Sequence, residues 1–405
     1  AATTFKVKIT TSVTDISCNT LGSDNKSIVG FSTSPSGSGT ITGSVQMDNG
    51  SALSGVSVSD ALFGSTVATM TSDSNGDFSQ ASLALGMHSL TYSKSGYLSE
   101  TLTELLETDG ETLNLETVRL LNDNCTSGTM SGTITDAVTG DNMSGVNLYY
   151  TSGINKNIKF GEWTYFGQTD ENGVWSLPNA NYSSSISPGS YTIMSNKSGY
   201  YKDYHNAEVC GDKPNQNNSL STRLNPGEMR IMLKWPITNP VTAIDLDSHL
   251  YIPIIDIDSS RGGDCDGDAN YEDKCHLYYN TNQNDPASYN GVTTYQYHIY
   301  GTGDNVTLDK DATSSPGDET ITISKVRSGT YSFSVHNFTN MDNSSNYKTN
   351  LRQSRAKVKV FYCPLGTDCN CNACPAAGSL VKKKFHVPNQ NGTLWKVFTF
   401  STSGS

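Results

Sequence analysis

At 405 residues the chain is long enough for about three domains of ordinary size. Only 16% of positions are charged and 35% hydrophobic, yet 21 Tyr and 12 Phe supply enough core-forming side chains to exclude disorder for most of the length. A formal charge of -12 excludes nucleic acid as a partner, because phosphates need basic patches; Lys382-Lys383-Lys384 is a basic cluster too short to matter.

No stretch approaches the ~20 apolar residues of a membrane span, so no membrane insertion is expected. No signal peptide is visible, and a beginning of Ala-Ala-Thr-Thr reads as a chain whose signal has been removed. Residues 1–38 open with TFKVKITTSV, in which Phe5, Val7, Ile9, Thr11 and Val13 alternate as in a strand. No hairpin partner is evident nearby, and SPSGSG follows as a flexible linker. A lone strand is not stable in water, so it must either complete its own chain's sheet or add to an edge of another subunit. Phe5, Val7, Ile9 and Val13 are thus candidates for intersubunit contact, joined by Cys18, which an odd count of nine cysteines leaves over.

Next comes a duplication. Gly55, Gly76, Gly86 and Gly96 recur as Gly145, Gly173, Gly189 and Gly199, the offset growing from 90 for the first pair to 103 for the last. Insertions near Gly161 to Phe166 and Asn179 to Ser185 account for the drift. Each copy alternates apolar residues, Val56 and Val58 against Val146 and Leu148, Leu90 and Tyr92 against Tyr191 and Ile193. Each carries a tight turn, Asp-Ser-Asn-Gly or Asp-Glu-Asn-Gly, that feeds Phe78 or Trp175 into the core. Short strands without a helical period predict a small β-sandwich over 39–121 and another over 122–226.

As a set these residues resemble the carboxypeptidase regulatory-like domains. Gly43, Gly55-Val56, Asp73 to Phe78, Gly86 to Leu90 and Gly96-Tyr97 carry the likeness, and the second copy carries it better. The resemblance implies transthyretin-like sandwiches used as stalk, spacer or binding module, without catalysis.

From Glu228 onward the period of two continues through MRIMLKW, AIDLDSHLYIP, TYQYHIYG, DETITI, GTYSFSVHNF, AKVKVFYC and GTLWKVFTFS, predicting a third β-domain over 227–405. It resembles an uncharacterised secreted β-sandwich family that follows such repeats. Asp245 to Leu250, Gly329-Thr330-Tyr331 and Trp395-Lys396-Val397 carry the likeness. The resemblance implies a fold and no activity. The expected architecture is all-β: tandem sandwiches with an N-terminal extension strand, laid out as a rod.

Two acidic clusters suggest a cation. Asp264, Asp266 and Asp268, with Asp273 beyond, have the alternate spacing of a calcium-wrapping loop. The match to a helix-loop-helix calcium hand fails, since position 12 is Cys275 and Gly267 sits at position four. A solvated acidic loop clipped by Cys265 and Cys275 is the competing reading. Asp245, Asp247, Asp309 and Asp311 form the second cluster, for which carboxylates pointing at water are the favoured reading. His249, His276, His298, His336 and His386 fall in this third domain without a metal-binding spacing, and are expected to be strand tips or packing residues.

No nucleophile constellation appears, and no enzymatic activity or catalytic residue is expected. Cys125 and Cys210 bracket the second sandwich, Cys265 and Cys275 flank the acidic loop, and Cys363, Cys369, Cys371 and Cys374 crowd one loop; disulfides are favoured over a zinc site there. Asn-x-Ser/Thr motifs at Asn25, Asn49, Asn124, Asn142, Asn181, Asn196, Asn217, Asn305, Asn337, Asn343 and Asn391 are glycosylation candidates. The combined reading is an extracellular or cell-surface structural protein that polymerises by strand addition into a filament. The alternative is a monomeric adhesin or carbohydrate-binding module using Tyr278, Tyr279, Tyr295, Tyr297 and Tyr300 to stack on glycans.

Overall fold

In a computed structural model of the chain, the described residues are 37–156, 163–179, 184–236, 245–253, 276–279, 306–326, 328–339, 351–366, 369, 380–388 and 390–402, with the backbone alone at 3–5, 8–9, 25–26, 31–33, 274–275, 295–299, 304–305, 340 and 350. The protein is all-β, with one short helix, Asn350–Gln353, and one 3-10 turn, Phe338–Asn340, among them.

In the extension, β1 (Thr3–Phe5) pairs with β4 (Phe31–Thr33), and β2 (Lys8–Ile9) with β3 (Asn25–Lys26). This corrects the expectation that the first strand lacks a partner nearby. The backbone of Phe5 and Ile9 meets strands of its own extension, through three residue pairs and two. Val7, Val13 and Cys18 lie outside the described residues.

The first sandwich contains β5 (Ser38–Met47), β6 (Ser57–Leu62), β7 (Ser65–Thr71), β8 (Asp77–Ala84), β9 (Gly86–Ser93), β10 (Glu100–Leu106), β11 (Thr112–Asn114) and β12 (Val118–Leu120). One sheet runs β10-β9-β6-β7; in the other, β5 is flanked by β8 and by the parallel β11 and β12. The second contains β13 (Met130–Asp136), β14 (Asn147–Ser152), β15 (Thr164–Gln168), β16 (Val174–Leu177), β17 (Gly189–Asn196), β18 (Asp203–Val209) and β19 (Asn218–Leu220). Its sheets, β18-β17-β14-β15 and β16-β13-β19, repeat that topology strand for strand apart from β11.

The duplicated glycines repeat in backbone angle too, with φ of 69° and 67° at Gly55 and Gly145, 80° and 72° at Gly76 and Gly173, 144° and 151° at Gly86 and Gly189, and 84° at both Gly96 and Gly199. At Gly76 a Cβ would come within 2.3 Å of the Val45 carbonyl oxygen, and at Gly173 within 2.8 Å of that of Ile134. These turns therefore require glycine both for φ and for the approach of the neighbouring strand. Asp73 and Asp170 close them alike, each accepting two backbone N–H bonds at 2.8–2.9 Å.

The copies differ in one buried feature. In the first, His88 lies between the Asp60 carboxylate, 2.8 Å from Nδ1, and the Ala84 carbonyl oxygen, 2.8 Å from Nε2, with both side chains fully buried. In the second, Tyr150 and Tyr191 occupy these positions, edge to face at 6.0 Å, and the Tyr191 hydroxyl donates to the Ser187 carbonyl at 2.8 Å. A hydrogen-bonded histidine–carboxyl pair and an aromatic pair thus occupy equivalent places in one scaffold.

The third sandwich is built from β20 (Met229–Trp235), β21 (Asp247–Pro253), β22 (Lys274–Leu277), β23 (Tyr295–Ile299), β24 (Asp304–Lys310), β25 (Gly317–Ile323), β26 (Gly329–His336), β27 (Lys357–Tyr362), β28 (Val381–His386) and β29 (Leu394–Thr402). A six-stranded sheet, β23-β24-β25-β20-β27-β28, faces a four-stranded one, β22-β21-β26-β29. Trp235, Leu250, Ile321, Phe333 and Val358 lie in the core between them.

The three sandwiches do not form a rod. The third packs on both repeats, and the contact is made by charge. Lys357 on β27 pairs with Glu116 of the first copy, whose residue is 4% exposed. Lys359 reaches both oxygens of Asp203 in the second copy at 2.5 and 2.6 Å, and Arg352 reaches Asp77 at 3.0 Å. Arg119 of the first copy donates to Glu208 of the second at 3.2 Å, and Lys213 to Asp48 at 2.7 Å. Phe361 stacks on Tyr201 at 5.3 Å with the rings 5° apart, and the Lys382 ammonium stands 5.3 Å from the Tyr201 ring centre. Lys382 therefore belongs to an interdomain seam.

Two measurable outcomes follow from these contacts. Removing one member of the Asp60–His88 pair, by Asp60→Asn or His88→Ala, is expected to cost about 3–5 kcal/mol in denaturant unfolding, whereas Asp60→Tyr with His88→Tyr, copying the second repeat, recovers most of that loss. Burial raises the Asp203 carboxyl, but the Lys359 ammonium outweighs it and holds it at about 2 against an ordinary 3.8. Glu116 is held below its ordinary 4.5 by Lys357 in the same way, against the effect of burial. Because both folded values are depressed, their stabilisation is complete above pH 4.5 and is lost as pH falls through about 4 towards 2, which an acid titration of tryptophan fluorescence will register.

Candidate functional site

The six-stranded sheet carries an anomaly on its inward face. In β25 the alternation that buries Ile321 and Ile323 also buries Glu319, which is 1% exposed. A carboxylate occupies a core position. Opposite it, Asp247 at the start of β21 is 3% exposed, and Asp245 and Asp311 stand beside the pair. The Ser248 N–H donates to Glu319 Oε2 at 2.7 Å, which ties the two sheets together. One oxygen on each of the four carboxylates, Asp245 Oδ1, Asp247 Oδ2, Asp311 Oδ1 and Glu319 Oε1, is buried without a hydrogen-bond partner. Ligand atoms of Asp245, Asp247 and Glu319 lie within 4.8 Å of one another.

The electrostatic consequence is direct. Burial first, and the neighbouring carboxylates second, push Asp247 up to about 7 and Asp245 up to about 6. Burial likewise drives Glu319 well above the ordinary carboxylate range.

Asp247 also belongs to a second group. Asp247, His249 and His336 place one ligand atom each within 4.8 Å of one another. His249 Nδ1 lies 2.9 Å from His276 Nε2, and His276 is sandwiched by Tyr251 at 4.2 Å and Tyr278 at 4.5 Å. Burial lowers His249 to about 3 and His276 to about 4, so these imidazoles are neutral at pH 7. The structure thus gathers acidic and histidine residues in an arrangement able to hold a metal ion, through carboxylate oxygens on one side and imidazole nitrogens on the other.

This arrangement differs from the sequence expectations. Asp245, Asp247 and Asp311 converge, but Asp309 does not join them; it accepts from the Thr322 hydroxyl. Glu319 was missed, although a charged residue in phase with Ile321 and Ile323 is a legible signal. His249 stacks on His276 and meets His336 edge to face, so of the two expectations for these histidines, strand tips or packing residues, they are packing residues gathered in one cluster. Asp264, Asp266, Asp268 and Asp273 lie outside the described residues, as do Cys265, Cys371, Cys374 and Tyr300. Tyr278 stacks within the imidazole row, Tyr279 packs on Phe338 at 5.1 Å, and of Cys275, Tyr295 and Tyr297 the backbone alone is described.

Where the three sandwiches meet there is a cavity of about 650 Å³, lined by Arg119, Glu208, Lys234, Arg355 and Lys359 among others. Its cations have partners: Arg119 and Arg355 flank Glu208, Lys359 holds Asp203, and Lys234 donates to Asn218. With its cations so paired, it is not a bare anion site.

Cys125 is bonded to Cys210, closing the second sandwich over a separation of 85 residues, and Cys363 to Cys369 over a separation of 6. These bonds suit an oxidising compartment. Among the glycosylation candidates, Asn49, Asn124, Asn142 and Asn391 are exposed, while Asn196 and Asn217 are half-buried. Asn217 Oδ1 accepts from the Thr133 N–H at 2.9 Å. Asn337 is fully buried, which overturns it as a glycan site in the folded protein, because its side chain is enclosed by the sandwich. The side chains of Asn25 and Asn305 and all of Asn181 and Asn343 lie outside the described residues.

Residues 40–121 match the carboxypeptidase regulatory-like domain family. The match covers the first copy; the second is related to it by topology and by its glycines. No curated protein matches the chain in sequence. Among solved structures, it is similar to the Bacillus anthracis TIE protein, at 11% identity over 77% of this chain and 47% of that one, with a TM-score of 0.19. It is also similar to BcpA, the major pilin subunit of Bacillus cereus, at 11% identity over 46% of this chain and 99% of that one, TM-score 0.19. The shaft pilin SpaA from Lactobacillus rhamnosus GG matches at 12% identity over 46% and 96%, TM-score 0.16. The chain spans about half the length, 47%, of the TIE protein. At TM-scores of 0.16 to 0.19 these likenesses carry no argument about this chain, whose fold rests on its own strands.

When the chain is produced in a glycosylating host, peptide mass spectrometry is expected to find glycan on one or more of Asn49, Asn124, Asn142 and Asn391, and none on Asn337.

Proposed function

We propose that this chain is an extracellular, non-catalytic structural protein that assembles into a surface filament by β-strand addition. The observation that supports this best is the open edge of the first sandwich. β7 ends its sheet, is seven residues long, and carries neither a charge nor a proline. An edge strand without lysine or proline is a template for another strand, and the one irregularity of β7 is a register shift against β6 that leaves Val67 unpaired in the ladder. The turn before β7 presents Phe63 at 70% exposure, and Val67 within it is 48% exposed.

The alternating Phe5, Val7, Ile9 and Val13 of a second copy supply a complementary strand, with main-chain bonds for affinity and every second side chain for register. The extension's own pairing, three residue pairs and two, is a small competitor for that edge. A contact of this kind is head-to-tail and does not close, so repetition yields a fibre. The seam between sandwiches keeps each subunit one body, so that force is borne by a fixed unit. The glycan-binding alternative has less support, because Tyr251, His276 and Tyr278 cover one another's faces.

Electron microscopy and sedimentation of three proteins test the reading. The full chain should form fibres. The chain lacking residues 1–33 and the Val67→Lys variant should remain monomeric with unchanged melting. A full chain that stays monomeric, or fibres that persist in both variants, overturns it.

A further inference from the structure

We propose that Asp245, Asp247, Asp311 and Glu319 together bind one hard divalent cation of the calcium class at the end of the third sandwich. The inference does not depend on the filament reading, and it concerns different residues from the acidic loop at 254–273.

Four observations carry it. Two of the four residues, Glu319 and Asp247, are 1% and 3% exposed, so water does not compensate their charge. Each of the four has a buried oxygen that no N–H or hydroxyl of the described residues meets, and the Glu319 and Asp311 carboxyls lie within hydrogen-bond reach of each other. The single backbone N–H in the group, from Ser248, serves the other oxygen of Glu319. Among the described residues no lysine or arginine pairs with any of them; the nearby Lys310 is engaged by Asp318 at 2.6 Å. Removing carboxylates from water without a counter-charge costs several kcal/mol each, so the cluster is built for a positive charge that the chain itself does not provide.

The donor set selects the ion. Carboxylate oxygens alone suit a hard cation, and a site with so many protein oxygens matches calcium better than magnesium, which retains most of its water. His249 and His336, which share Asp247, would suit a borderline ion such as zinc or nickel. They are only half-buried, whereas the oxygen-lined side contains the two enclosed carboxylates. Position adds a structural reason, since Glu319 belongs to one sheet of the sandwich and Asp247 to the other. A cation between them would clamp the sheets together.

The test is thermal unfolding of the full chain in calcium and in chelator, with isothermal titration of calcium into chelated protein. Calcium is expected to bind and to raise the melting temperature by at least about 2–4 °C. Glu319→Gln and Asp247→Asn should each lose the calcium response. They should also melt no lower than the parent in chelator, because each replaces a buried ionisable carboxyl with a neutral amide of the same shape; a residue needed only for packing would instead lower melting in both conditions. The Asp264→Asn, Asp268→Asn variant should keep the response.

Absence of calcium binding, with melting set by pH alone, would mean that the carboxylates share protons, and would overturn the proposal. So would a response that is lost in the Asp264→Asn, Asp268→Asn variant and retained in Glu319→Gln. Binding of zinc or nickel in place of calcium, abolished by His249→Ala and unaffected by Glu319→Gln, would overturn it equally.

Discussion

The structure depends on the charged seam between the third sandwich and the two repeats. Lys357 and Lys359 stand two apart on one strand, so they project from the same face of the six-stranded sheet. One meets Glu116 of the first copy and the other Asp203 of the second. A single strand therefore holds both repeats. Asp203 and Glu116 are largely withdrawn from water, which raises the cost of each charge and makes each partner indispensable once the contact exists. Around the ion pairs, the Tyr201–Phe361 stack with Lys382 above it contributes apolar contact. Tandem sandwiches without such a seam would be joined by their linkers alone; here ion pairs and a ring stack join them as well.

The two copies share a strand order and a set of glycine turns, and each has its own surface and its own interior. The four glycine positions and the Asp73 and Asp170 turns are alike because backbone angle and strand approach leave no alternative there. Positions that only fill space have diverged, as Asp60 with His88 against Tyr150 with Tyr191 illustrates. Both solutions satisfy the polar atoms they bury, which is the condition the core imposes. The seam residues Glu116 and Asp203 do not occupy equivalent places in the two copies, consistent with a third domain that meets each copy from a different side.

The carboxylate cluster follows a different physical rule. Elsewhere in the third sandwich, inward positions hold Leu, Ile, Val, Phe and Trp. Glu319 breaks that pattern where the two sheets come together, and the neighbouring Asp245, Asp247 and Asp311 compound the cost instead of relieving it. Buried carboxylates so placed are costly unless something compensates them, and no lysine or arginine among the described residues pairs with these.

By itself the sequence determined the all-β class, the duplication and the location of the turns. These depend on local physics: a period of two, the glycines at positive φ, and Asp residues that close turns onto their own backbone. It also offered Asp245, Asp247, Asp309 and Asp311 as two pairs of alternating carboxylates, for which pointing at water was the favoured reading. Glu319 was legible as a charge in phase with buried isoleucines, but which carboxylates it faces depends on how two sheets stack. The separation of Asp309 from that group, the gathering of His249, His276 and His336 from three strands, and the burial of Asn337 were likewise tertiary decisions. So was the arrangement of the domains. A row of alternating lysines reads as a solvated strand until the acidic partners arrive from segments more than 150 residues away, as Asp203 does for Lys359, and only packing could show that the expected rod is a cluster.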